Sequence, residues 1–262
     1  MATLALTRPA TTYRLTPALV SLVATGAFAV LLIALHFLKP QIDPSWRFIS
    51  EYAIGDFGWL MAVAFLTFAF GHVALVIALW PHTRTIAGRI GLACFLLGAA
   101  GLAIAGIFPT DPITTAPESA TTTGQLHSLG GAFGIGGFVG VLLISWSVAR
   151  NHARLKARRT LLSATGLVIL GFVVSIGSLV VLLSQSGGTF GPDVPIGWPN
   201  RFEVLTSCIW LAVAARCAAR LSDAPNRSAQ AWPRQRCLPA HPLARVQAEP
   251  PEPRPPVPAP TP

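Results

Sequence analysis

The chain has 262 residues, 52% of them hydrophobic and only 11% charged, whereas an ordinary soluble domain carries roughly a quarter charged residues. That composition excludes most soluble folds. The formal net charge of +9 raises nucleic-acid binding as a reading, so the positions of the charges have to decide it.

Six apolar runs reach the length of about 20 residues that a helix needs to cross a hydrocarbon core of about 30 Å. They are Pro17–Leu38, Phe57–Leu79, Ile86–Phe108, Gln125–Ala149, Leu161–Leu183 and Glu203–Ala219. A backbone in lipid must satisfy its own hydrogen bonds, and no alternating strand pattern points to a barrel, so the predicted fold is all-α, a six-helix transmembrane bundle. Arg8 and Arg14 precede the first run, Arg84 and Arg89 lie between the second and third, and five basic residues from Arg150 to Arg159 lie between the fourth and fifth. Seven more arginines follow Leu211, which leaves only Lys39, Arg47 and Arg201 for the other side. The positive-inside rule therefore predicts both termini in the cytoplasm and an inner-membrane location. The basic character is topological: the expected partner is the lipid bilayer, with no nucleic acid.

The first run is longer than the apolar segment of a secretory signal and lacks a small-residue cleavage site after it, so it reads as a retained helix following a cytoplasmic N-terminus, residues 1–15. In the loop after it, Asp43-Pro44 predicts a capped start to a short helix, and Trp46, Phe48, Tyr52 and Trp59 suit an outer interface. His72 falls on the apolar stripe of the second run and reads as a packed core histidine, because a haem would want a second histidine at similar depth. Trp80-Pro81 ends that run. The third run leads into Phe108-Pro109-Thr110-Asp111-Pro112, and the Thr-rich segment from Ile113 to Gly124 reads as mobile. The fourth run carries six glycines within the eleven residues from Gly130 to Gly140. At helical spacing, His127, Gly130, Gly134 and Gly137 share one stripe, predicted to pack against a neighbouring helix. A second stripe on the fifth run, Gly171, Ser175, Ser178, Leu182 and Gln185, offers either helix-bonding hydroxyls or a polar cavity lining. The sixth run follows a Gly- and Pro-rich loop through Arg201 and Glu203. Twelve prolines fall in the last 42 residues, so 221–262 reads as a disordered Pro-rich cytoplasmic tail beyond the transmembrane domain, 16–220.

Ser50-Glu51-Tyr52-Ala53, the stretch Gly106–Pro112, Gly124–His127 and the Gly197-x-x-x-Arg201 spacing occur in an order that resembles the prokaryotic membrane family known as domain of unknown function 998, over roughly residues 16–220. That resemblance implies a six-helix membrane protein of unestablished role and brings no catalytic assignment.

Four cysteines without a CxxC spacing predict neither a disulfide framework nor a metal cluster. No nucleotide loop, nucleophile elbow or flavin fingerprint is present, so no cofactor is expected. The predicted topology places seven of the ten carboxylates on the outer face, with His36 and His127. Asp111, His127, Glu51 and Arg201 form the candidate polar cluster, with His36, Ser175, Ser178, Gln185 and Glu203 as weaker members. Three readings compete. One is an ion-paired lock of Asp111 or Glu51 with Arg201. Another is a site for a small-molecule or lipid ligand, with Arg201 holding an anion and His127 handling protons. The last is metal-assisted hydrolysis through Asp111, His127 and His36. A binding, transport-like or structural role is favoured over an enzyme, because no catalytic constellation reaches motif quality.

Overall fold

A computed structural model describes residues 16–151 and 155–230. It contains α1 (Pro17–Leu38), α2 (Gly58–Leu79), α3 (Ile86–Ile107), α4 (Thr122–Asn151), α5 (Leu155–Gln185) and α6 (Gly197–Gln230), with no strand among the described residues. Each helix holds a stretch long and apolar enough to span a bilayer, and the chain is a multi-pass membrane protein. The helices pack within a compact unit that ends at Ala224, and of the second unit, Pro225–Pro262, the described residues 225–230 are helical. The expected N-terminal segment, 1–15, lies outside the described residues, and of the tail expected to be disordered, 221–262, residues 221–230 are helical and 231–262 lie outside the described residues.

Local chemistry sets most helix starts. The Thr16 hydroxyl accepts from the Leu19 amide at 3.3 Å, with Pro17 in the first turn. Thr85 caps α3 through the Gly88 amide at 3.1 Å, and Thr121 caps α4 through the Gly124 amide at 3.1 Å. Each satisfies one of the amides that a helix start leaves without a partner. The helix expected at Asp43 is instead a turn: Asp43 Oδ1 accepts from the Ser45 amide at 2.8 Å and hydroxyl at 2.7 Å. This side chain closes its own turn, and the regular structure comes later, as a 3₁₀ turn at Ile49–Ala53. Helix α6 starts at Gly197, ahead of the expected Glu203, because Pro199 in a first turn forfeits no intrahelical bond. It also continues past Ala219 to Gln230. A change from apolar to polar residues ends a membrane span without ending a helix.

Glycine dictates how α3 and α4 meet, and they are the most closely packed pair. A Cβ on Gly98 would stand 2.8 Å from Gly137 Cα, and one on Gly140 would stand 2.7 Å from the Phe95 amide nitrogen. Such backbone contact is the membrane substitute for a hydrophobic driving force between helices. The predicted stripe is nonetheless split, since a Cβ on Gly131 or Gly134 would meet nothing within 4 Å. Gly134 therefore leaves the packing face and borders open space. Helices α5 and α6 stand farther off, and α5 is the least buried of the six spans. Val173, Val180 and Val181 are exposed on α5, as are Val30 and Phe37 on α1, an apolar exterior suited to lipid.

A small polar network ties the peripheral helices to α4. The indole N–H of Trp210 donates to the Ser145 and Thr165 hydroxyls at 3.0 and 3.2 Å, and Thr165 donates to Ser145 at 2.7 Å. All three residues are buried. Phe28 stacks on Phe68 with ring centroids 4.2 Å apart. His72 stacks on Phe95 at 4.5 Å while its Nδ1–H donates to the Phe68 carbonyl at 2.8 Å, the geometry of a core histidine.

Candidate functional site

The long loops 39–57, 108–121 and 186–196 lie at one end of the bundle, and the polar residues there separate into two groups. The first group surrounds Glu51, which is buried. One oxygen, Oε1, pairs with Arg47 at 2.8 Å and accepts from the Ile113 amide at 2.8 Å. The other, Oε2, accepts from the Phe48 amide at 3.1 Å. Glu51 thus fastens the α1–α2 loop to the α3–α4 loop. Asp111 acts one step further along: its two oxygens accept from the Thr121 amide and hydroxyl, each at 2.8 Å. A carboxylate there also complements the positive end of α4. The segment from Ile113 to Gly124, expected to be mobile, is therefore tied at both ends.

Arg201 heads the second group. Its Nε donates to His36 Nε2 at 2.9 Å, Nη1 donates to the Arg47 carbonyl at 2.7 Å and the Gly197 carbonyl at 3.1 Å, and Nη2 donates to the Tyr52 hydroxyl at 3.2 Å. His36 Nδ1–H donates to the Leu32 carbonyl at 2.7 Å, which leaves Nε2 as the acceptor that the guanidinium requires. The expected pair of Arg201 with Asp111 or Glu51 does not form. Among the described residues the carboxylate pair is Arg47–Glu51, while Arg201 joins α1, the Ile49–Ala53 turn and α6 through neutral acceptors. Arg201 is not among the described residues that wall the two cavities beside His127.

His127 lies between Glu51's group and open space. Its Nδ1–H donates to the Phe108 carbonyl at 2.9 Å, and its ring meets Phe65 edge-on at 6.0 Å. In the neutral ring the remaining Nε2 is an acceptor. His127 lines two adjoining cavities. The outer one, about 940 Å³, lies among the loops and the ends of α4, α5 and α6, and Glu51, Asp111, Ser175 and Ile176 are among its walls. The inner one, about 370 Å³, reaches down to His72, Phe95 and Trp210. Ser50, His127, Phe172, Asn200 and Glu203 border both. Gly131 and Gly134 do so too, which is why they lack neighbours.

The weaker candidates divide in the same way. Ser175 is buried and lines the outer cavity, as does Glu203. Ser178 and Gln185 line neither cavity, and Gln185 is exposed. Three polar residues here lie outside the candidate cluster read from the sequence. Asn200 accepts from the Ile49 amide at 3.2 Å through Oδ1. Tyr52 is fully buried beneath Arg201. Lys39 is buried too, with its ammonium donating to the Tyr52 carbonyl at 3.0 Å and to the Ile54 carbonyl. Burial holds the Lys39 pKa below the usual lysine value, and the nearby Asp56 charge opposes that shift. Arg47 was the one legible partner, since it precedes Glu51 by four residues.

No group of three His, Cys, Asp or Glu side chains converges as a metal-binding set among the described residues. His36 is engaged by Arg201 while Asp111 is engaged by Thr121, so the three proposed metal ligands are held in separate local networks.

Residues 22–216 match the family described as protein of unknown function (DUF998), and the chain belongs to that family. No curated protein and no solved structure matches it.

Proposed function

We propose that this member of the family resides in the inner membrane with both termini cytoplasmic, and that it binds a small amphiphile, free or lipid-derived, in the paired cavities at its extracytoplasmic end. One observation carries the reading: an apolar inner cavity of about 370 Å³ meets an outer one, also bordered by Glu51 and Asp111, across shared walls at Ser50, His127, Asn200 and Glu203. Ligand sites of this kind are mostly apolar with a few convergent polar groups, and in bundles they lie between helices. The Glu51 network belongs to the scaffold of the mouth, because each of its oxygens already has protein partners. The orientation follows from the concentration of Lys and Arg on the side opposite the long loops.

The test is thermal unfolding of the full chain in lipid nanodiscs with dodecanol, a neutral twelve-carbon amphiphile. The reading predicts saturable stabilisation that Gly134→Phe removes by filling the space beside α4. A midpoint that does not move with dodecanol would sink it.

A further inference from the structure

We infer that the polar end of these cavities accepts a cation: the ligand is an amphiphile with a primary ammonium head, placed at Glu203, and an apolar tail directed into the inner cavity. The inference rests on the amphiphile reading above and names its chemical class.

The walls are electrostatically one-sided. Glu51, Asp111 and Glu203 border the outer cavity, and among the described residues no Lys or Arg borders either cavity. Two of these carboxylates are already occupied, Glu51 by Arg47 and Asp111 by Thr121. No basic side chain among the described residues stands within ion-pair distance of Glu203. A carboxylate within a membrane span is costly until a cation or a proton neutralises it.

His127 supplies a second, independent observation. Its residue is 8% exposed, its Nδ1 is committed to the Phe108 carbonyl, and no group among the described residues takes its Nε2. A primary ammonium has N–H donors for both this nitrogen and the Glu203 carboxylate. An alcohol would supply one, and an anionic head would meet the Glu203 carboxylate with no basic side chain beside it. Below them Phe68, Phe95, Phe138 and Trp210 border the inner cavity, and their rings suit both a hydrocarbon tail and the positive end that leads it. Ile135 on α4 and Ile176 on α5 border the outer cavity and are also exposed on the apolar exterior, so a tail can pass between these helices from the bilayer.

The experiment compares dodecylammonium, dodecanol and dodecanoate for binding to the full-length protein in phosphatidylglycerol nanodiscs, with wild type beside Glu203→Gln. The expected order is ammonium tightest and dodecanoate weakest. Glu203→Gln should weaken dodecylammonium about tenfold, the scale of one lost charge-assisted contact, and leave dodecanol within about twofold. Dodecanol or dodecanoate binding as tightly as dodecylammonium, or an ammonium affinity untouched by Glu203→Gln, overturns the cationic head and leaves the amphiphile reading standing. Failure of all three to bind overturns both. Phosphatidylethanolamine added to the nanodiscs identifies the source: competition with dodecylammonium assigns the head to a lipid, and its absence assigns it to a free amphiphilic amine.

Discussion

The Nδ1–H of His127 donates to the Phe108 carbonyl at 2.9 Å, so the start of α4 is fastened to the end of α3 by the same ring that borders the cavities. Position and chemistry can be separated there. Asparagine carries an amide N–H near the site of Nδ1 and nothing at Nε2. His127→Ala is expected to lower stability by about 1–3 kcal/mol, the cost of an unmet buried carbonyl, whereas His127→Asn recovers much of that and still loses amphiphile affinity. Thermal unfolding and dodecylammonium binding, measured on both variants, check the split.

Glu51 joins two loops through a buried carboxylate. Truncating it leaves the Ile113 and Phe48 amides unmet and Arg47 without its counter-charge. Glu51→Ala should therefore destabilise by about 2–4 kcal/mol, and Glu51→Gln by less, since an amide oxygen still accepts from one amide. Chemical denaturation in detergent gives the two values, and equal losses would show that geometry at Glu51 is immaterial.

The glycines of α3 and α4 are not equivalent. A Cβ on Gly101 would run into the Gly130 carbonyl and stand 2.8 Å from Phe133 Cβ, while one on Gly134 would meet nothing. Gly101→Ala is expected to separate the two helices and lower the unfolding midpoint. Gly134→Ala should hold or raise stability by up to about 1 kcal/mol through helix propensity alone. Comparable losses in the two variants would contradict the division of α4 into a packed face and an open one.

Orientation has its own check. A reporter fused after Asn151, between α4 and α5, is expected to read cytoplasmic, and one inserted at Thr115 extracytoplasmic. The reverse pattern would invert the assignment of the cavity mouth.

The six spans were legible because lipid imposes a length and a composition that few other structures share; Pro17–Leu38 was read to the residue. Partner choice was less so. Arg201 looked like an ion-pair donor because charge is visible in a sequence, yet three of its acceptors, on His36, Arg47 and Tyr52, come from residues 149 to 165 positions away. Helical period placed Gly134 with Gly130 and Gly137, but packing depends on what stands opposite, and there α5 is held away. Asp111 was local enough to be read, with Thr121 ten residues on, but a threonine-rich stretch without apolar anchors gives no sign that one of its hydroxyls is a helix cap. Asn200 and Lys39 fell outside the candidate cluster: each is placed by a backbone group from another part of the chain.

The most direct measurement uses Trp210, which is fully buried and borders the inner cavity. A bromine-tipped undecanol is titrated into nanodiscs of wild type, Trp210→Phe and Gly134→Phe, and tryptophan fluorescence is followed. The account predicts saturable quenching of the component that Trp210→Phe removes, and its loss in Gly134→Phe. Quenching that rises without saturation and equally in all three proteins, as simple partition into the bilayer produces, would contradict it.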